Sequence, residues 1–192
     1  MRPRTTPFPL ISNRLLMLIL LIISLGAIWT LVLEVLEPSS QQSGPASSPK
    51  EGFTAPDFIL DILEGGKLTL AELRGHPVML NLWASWCLPC RSEMPAIEKA
   101  YQRYKDAGLM VIGLNMTLQD SESDARAFAQ ELGLTFPIVL DRDGSISKRY
   151  QLLGLPSTFF IDEKGIIRSV VVGGPMSEAT IQSNVEALVQ GK

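Results

Sequence analysis

Apolar positions along this chain fall into three patterns, each predicting a different element. The first is continuous. Leu15 to Leu33 is 19 residues without a charge. As a helix it would span ~28 Å, close to a bilayer core of ~30 Å, so residues 15–36 are expected to form a single transmembrane anchor. A cleaved signal peptide is the rival reading; it would carry a shorter apolar region and a small-x-small site, and none lies directly after Leu33. The second pattern is the absence of one. Pro38 to Glu51 (PSSQQSGPASSPKE) is rich in Ser, Pro, Gln and Gly without periodicity, as in a segment that cannot bury enough apolar surface to order itself. Residues 37–51 are therefore expected to be a flexible linker.

The third pattern alternates strand-like and helix-like runs from residue 52 to 192. Residues 57–62 and 67–70 predict two strands about the Gly65-Gly66 turn. Residues 71–74 predict a helical turn closed by Gly75. Val78 to Trp83 is almost wholly apolar, as a central parallel strand buried on both faces should be. An amphipathic helix follows from about 88 to 106, with a kink expected at Pro95, which cannot donate to the helix ladder. A strand is predicted at 109–115, a polar-faced helix at 122–132 with Gly133 at its end, a strand at 136–140 and a short helix at 145–151. Residues 158–162 and 167–172 read as a hairpin about Glu163-Lys164-Gly165, and 178–190 as a closing helix. This order is an α/β pattern with a parallel start and an antiparallel end.

Charge adds an orientation. Arg2, Arg4 and Arg14 precede the apolar span, and Glu34, Glu37 and Glu51 follow it. Positive-inside then places residues 1–14 in the cytoplasm and everything beyond the span outside. The expected location is the cell membrane, crossed once, with an extracytoplasmic catalytic domain. A net charge of −3 with no basic cluster beyond the N-terminus gives no reason to expect a nucleic-acid partner.

The candidate chemistry sits where the apolar strand meets the amphipathic helix. Trp83-Ala84-Ser85-Trp86-Cys87-Leu88-Pro89-Cys90 holds both cysteines of the chain. A Cys-x-x-Cys pair at a strand-to-helix junction reads as a redox site. Unpaired N–H groups and the positive end of the helix dipole favour the thiolate, the form that attacks a disulfide. Pro89 fits the first helical turn, where a missing N–H costs nothing. Cys87, nearer the exposed strand end, is the expected nucleophile, and Cys90 the resolving thiol. A structural disulfide closing so short a loop would remove little unfolded-state entropy. A zinc site would want more ligands than two Cys and one His supply. Glu93 follows Cys90 by three residues on the same helix face, and is a candidate acid/base if burial raises its pKa; it could also simply complement the helix dipole. Trp86 should flank the thiols, Trp83 should pack in the core, and His76 should be a surface turn residue.

The motif WASWCLPCRSEMP, with APDF, LNLWASWC, FPIVLD and LPSTFFID, resembles the thioredoxin superfamily over about residues 53–190. It is closest to the membrane-anchored branch that includes ResA, TlpA and the CcmG/DsbE proteins. The resemblance implies a thioredoxin fold with an N-terminal β-hairpin and a central insertion, most of it in residues 117–137, preceded here by one transmembrane helix. It implies a cis Leu155–Pro156 bond packed against the active-site disulfide, with Leu155 backbone groups free to pair with an extended substrate. It also implies a functional glutamate at Glu93. Asn81 stands where cytoplasmic-type thioredoxins carry a buried aspartate, which moves any acid/base role toward Glu93.

The implied activity is thiol-disulfide oxidoreduction through the Cys87–Cys90 pair, with no cofactor and no metal. The chain would reduce protein disulfides, with apocytochrome c haem-site cysteines as a candidate substrate and a membrane thiol transporter of the CcdA/DsbD type as electron donor. Two alternatives stay open: a disulfide-introducing oxidase on the same fold, and a copper-chaperone-like module. The copper proteins use Cys-x-x-x-Cys and a later His, whereas the only His here precedes the motif. Peroxiredoxins also open with APDF, but their Pro-x-x-x-Thr-x-x-Cys setting is absent.

Overall fold

The computed structural model describes residues 17–26, 29 and 47–191. It divides the chain into two units, 1–43 and 44–192. In the first, residues 17–26 are helical and exposed. Among the described residues no helix is long and apolar enough to cross a membrane. The rest of the expected anchor (apart from residue 29), residues 1–14 and linker residues 37–46 lie outside the described residues.

The second unit is a seven-stranded mixed sheet with helices on both faces. The strands are β1 (Ile59–Ile62), β2 (Lys67–Thr69), β3 (Val78–Trp83), β4 (Met110–Asn115), β5 (Ile138–Leu140), β6 (Ser157–Ile161) and β7 (Ile167–Val172). Their spatial order is β2-β1-β5-β4-β3-β6-β7. β3, β4 and β5 run parallel; β6 and β7 add antiparallel on one side, and the β1–β2 hairpin on the other. The helices are α1 (Leu88–Tyr104), α2 (Glu122–Glu131), α3 (Ser145–Arg149) and α4 (Glu178–Val189). Pro95, where the sequence predicts a kink, lies inside the single helix α1. The central insertion supplies a 3-10 turn (Thr117–Gln119) and α2 between β4 and β5.

Every residue of β3 is buried, and the two-residue period of a strand sorts its side chains. Val78, Leu80 and Leu82 enter one core with Ile112, Phe159, Ile161 and Tyr150. Met79 and Trp83 enter the other, with Met94 and Ile97 of α1, Phe128 of α2, and Ile181 and Val185 of α4. Trp83 is fully buried and stacks on Phe128 with ring centroids 4.6 Å apart. Asn81, between Met79 and Trp83, is the one polar residue of β3, and alternation turns it toward α1. Directly opposite it on β6 is Thr158.

The last residues of the expected linker differ from a free tether. Ser48 donates its N–H to the Thr54 carbonyl, and Gly52 donates to Ile167 of the edge strand β7. Glu51 accepts the Val170 N–H at 3.0 Å. Backbone pairing and a carboxylate at an open sheet edge hold residues 47–51 against this unit, which composition alone does not reveal.

Candidate functional site

The loop after β3 ends in Cys87, which is the N-cap of α1. Cys87 and Cys90 form a disulfide, with Cα atoms 5.3 Å apart. The Cys90 N–H points at Cys87 Sγ at 3.3 Å, so the first-turn donor that a capping oxygen would normally take is directed at sulfur. On reduction the same N–H and the helix dipole would favour a thiolate at Cys87. Cys87 is 4% exposed and borders an open groove; Cys90 is fully buried.

That groove has a volume of about 530 Å³ and is lined by Trp86, Leu88, Met116, Leu152, Leu153 and Leu155, among others. Its rim is exposed and apolar: Trp86 is 56% exposed, Leu88 77% and Leu153 88%. Three such side chains grouped around one reactive sulfur mark a surface for another molecule. The Leu155–Pro156 bond is cis, as is Gly174–Pro175. Among the described residues, neither the N–H nor the C=O of Leu155 has a hydrogen-bond partner. Both are therefore open to an extended strand.

Glu93 lies one turn beyond Cys90 and is 1% exposed. Its Oε1 accepts from Asn81 Nδ2 at 2.9 Å, and its Oε2 from the Met176 N–H at 2.8 Å. The second amide hydrogen of Asn81 goes to Thr158 Oγ1 at 2.8 Å. Burial pushes the Glu93 carboxyl above its ordinary value, opposed by the Met176 N–H and the Asn81 amide. Gly174 makes this enclosure possible. A Cβ there would stand 2.6 Å from Pro156 Cγ and 2.8 Å from Glu93 Oε2. The site therefore holds a dithiol-forming pair, a buried acid whose pKa burial raises, and an apolar groove.

The sequence places Cys87, Cys90, Glu93, Trp86, Leu155 and Pro156 near one another, and in the structure they border one end of the sheet. Asn81, which cannot titrate, bonds two side chains, Glu93 and Thr158. Period-2 alternation of β3 is the signal that could have paired Asn81 with α1. Thr158 needed the β3–β6 register, and the Met176 N–H has no side-chain signature at all. His76 is exposed, its Nδ1 3.2 Å from the Gly108 carbonyl. Among the described residues, no three His, Cys, Asp or Glu side chains gather to hold a metal ion.

A second network was not legible in the sequence. Asp120, after the 3-10 turn, accepts the Ser85 N–H at 2.7 Å, the Ser85 hydroxyl at 2.6 Å and Asn115 Nδ2 at 2.7 Å. The neighbouring Gln119 carbonyl accepts Trp86 Nε1–H at 2.9 Å. The insertion thus grips the two residues before Cys87. Burial disfavours the Asp120 carboxylate, but the Ser85 and Asn115 donors outweigh it and hold its pKa below the ordinary value. A depressed carboxyl stabilises the fold above its unfolded pKa and loses that contribution as pH falls through the folded one. Asp120→Ala is expected to cost ~1–3 kcal/mol in denaturant unfolding at neutral pH and to shift Trp86 fluorescence. The stability difference from wild type should shrink in acid. An unchanged midpoint would show that the clamp contributes nothing.

Comparison with known proteins agrees with this geometry. Residues 52–170 match the AhpC/TSA family. The thioredoxin-like protein YneN of Bacillus subtilis is 46% identical over 125 residues, covering 65% of this chain and 72% of that protein. The thiol-disulfide oxidoreductase ResA of Geobacillus kaustophilus is 37% identical over 137 residues, covering 71% and 77%. A crystal structure described as a thiol:disulfide interchange protein DsbE of Chlorobium tepidum superposes with a TM-score of 0.68 at 30% identity, covering 74% of this chain and 99% of that one. Such enzymes work through a redox-active cysteine pair without a cofactor. The chain belongs to the thioredoxin-like AhpC/TSA family and is a thiol-disulfide oxidoreductase of the ResA/DsbE type.

Proposed function

We propose that this enzyme is a membrane-tethered reductant of protein disulfides, working outside the cytoplasmic membrane. The observation that carries the reading is the position of Cys87: it caps α1 and borders the apolar groove, and its disulfide partner Cys90 lies one turn before buried Glu93. In the reduced enzyme, the Cys87 thiolate attacks a substrate sulfur. An enzyme–substrate disulfide forms, and the first substrate sulfur leaves as a thiolate that takes a proton from water. Cys90–SH passes its proton to the Glu93 carboxylate. The Cys90 thiolate attacks Cys87 Sγ and releases the second substrate sulfur, which takes the proton back from Glu93. The substrate gains two electrons, and the enzyme ends as the Cys87–Cys90 disulfide.

Trp86 and the Leu155–Pro156 turn hold the substrate, the turn by pairing the Leu155 backbone with an extended segment. Apocytochrome c haem-site cysteines are the proposed substrate, and a membrane dithiol transporter of the CcdA/DsbD type returns the two electrons. The charge-free stretch Leu15–Leu33 with its preceding arginines supports a single anchor at residues 15–36 with residues 1–14 cytoplasmic.

The reduction potential of the full chain, equilibrated against dithiothreitol with thiol trapping, tests the direction of transfer. A value of about −270 mV or lower is expected; one near −120 mV would mark an oxidant and overturn the reading. The groove has its own test. Leu153→Ser should raise KM for a protein disulfide about tenfold and leave reaction with a small soluble disulfide unchanged. Equal losses on both substrates would remove the groove from substrate binding.

A further inference from the structure

We infer that the Asn81 side-chain amide turns over when Glu93 changes protonation state. One asparagine then serves the buried acid as donor in its ionised form and as acceptor in its neutral form. The inference rests on the acid/base reading of Glu93 and deepens it.

The starting point is an imbalance. Asn81 uses both amide hydrogens, on Glu93 Oε1 and Thr158 Oγ1, while its own Oδ1 is buried with no partner. Every group bonded to Glu93 is a donor. That arrangement suits a carboxylate, yet burial favours the neutral acid. Among the described residues no charged side chain faces Glu93. β3 offers Asn81, β6 offers Thr158, and the turn before α4 offers Gly174 and the Met176 N–H. On α1, the titratable group one turn away is Cys90.

A proton arriving on Oε1 would set donor against donor. Turning the amide by half a revolution about its last side-chain bond removes the conflict. Oδ1 then accepts from the Glu93 hydroxyl and from the Thr158 hydroxyl, which can donate as readily as accept. The oxygen left unpaired in the ionised form becomes the atom used twice. The Met176 N–H cannot reverse, so Oε1 rather than Oε2 carries the proton. Each orientation leaves the other end of the amide without a partner, one acceptor in the ionised form and two donors in the neutral form. Asn81 is thus a positioning residue, and Thr158 follows it. The proton balance is simple: Cys90–SH and the Glu93 carboxylate become a Cys90 thiolate and the Glu93 acid.

The experiment is a pH titration of the full chain in a mild detergent, with the active-site disulfide kept oxidised so that no thiol titrates. The asparagines are labelled with ¹⁵N and the glutamate carboxyls with ¹³C; Asn81→Ser assigns the Asn81 amide signals. Those signals should move with the Glu93 midpoint. In Glu93→Gln they should be independent of pH and lie at the wild type's low-pH position, because a glutamine Nε2–H donates where the acid hydroxyl does. Signals that stay still across the Glu93 midpoint, or that stay at the high-pH position in Glu93→Gln, overturn the inference.

A kinetic arm guards against a purely structural effect. Asn81→Leu should slow resolution about tenfold on both limbs of the pH profile with little movement of its midpoint, whereas loss of a fixed donor would raise the midpoint and spare the acid limb. Thr158→Val should slow resolution, and Thr158→Ser should restore it; equal rates for the two overturn the part given to Thr158. If Glu93→Gln exchanges at the wild-type rate, the acid/base reading fails, while the titration still decides whether the amide turns.

Discussion

Cys87→Ser abolishes reduction of a protein disulfide, with a rate loss of at least about 1,000-fold, and Cys90→Ser instead accumulates a covalent enzyme–substrate complex. The asymmetry follows from where the two sulfurs sit. Cys87 borders the groove and is the sulfur toward which a helix N–H is directed. Cys90 is fully buried and reaches Cys87 Sγ itself, which it attacks once that sulfur is bonded to the substrate. Removing the first leaves no thiolate for a substrate to meet; removing the second leaves the mixed disulfide without its resolving partner. Intact-mass measurement after mixing each reduced variant with an oxidised protein substrate reads both outcomes. A trapped complex on Cys87→Ser, and none on Cys90→Ser, would exchange the assigned roles.

Glu93→Gln slows the resolving step about 100-fold and at the same time stabilises the fold at neutral pH. The two effects share one cause. Burial raises the Glu93 pKa above the ordinary value of 4.5, with the Met176 N–H and Asn81 amide only partly offsetting it. The folded state therefore holds this proton more tightly than the unfolded state. Stability is fully present below pH 4.5 and falls as pH rises through the folded pKa. Glutamine removes that loss, so the variant's Tm should exceed the wild type's at pH 7, and the gain should vanish below pH 4. The same side chain cannot relay a proton, so the pH dependence of resolution should flatten. Stopped-flow thiol trapping and thermal unfolding across pH check the pair. A variant that is slow but no more stable would mean that the carboxylate is well solvated in the native state.

Much of the fold could be read from the chain because its strongest signals are local. The apolar run 78–83 and the Gly65-Gly66 turn each specify their element with no reference to distant residues, and β3 coincides with its predicted range. Strand ends blurred where polarity and burial part company: β1 begins at Ile59, two residues after the predicted Asp57, and the predicted strand 136–140 pairs only from Ile138. The cysteine pair and Glu93 were legible because spacing on one helix fixes them. The network around Glu93 was not, since the Met176 N–H comes from the turn before α4, 83 residues from Glu93, and Thr158, which bonds Asn81, from β6, 77 residues from that asparagine. Register and topology decide those contacts, and neither is written in any short window. The Asp120 clamp was hidden for the same reason: nothing in Thr117-Leu118-Gln119-Asp120 points back to Ser85. Linker composition, finally, carries no record of the hydrogen bond by which Glu51 meets the edge of β7.

The Met176 N–H is a main-chain group, and this changes what mutagenesis of the site can see. Half of the hydrogen bonding to the buried acid is encoded by no side chain, so replacing Met176 by Ala, Leu or Ser leaves that donor in place. A scan of such substitutions at Met176 would therefore register the loss of its buried side chain, 7% exposed within the core, and not the loss of the donor. Only proline, which has no N–H, deletes the donor. A map of mutational tolerance records side chains, whereas this donor to the buried carboxylate belongs to the main chain and leaves no mark on such a map.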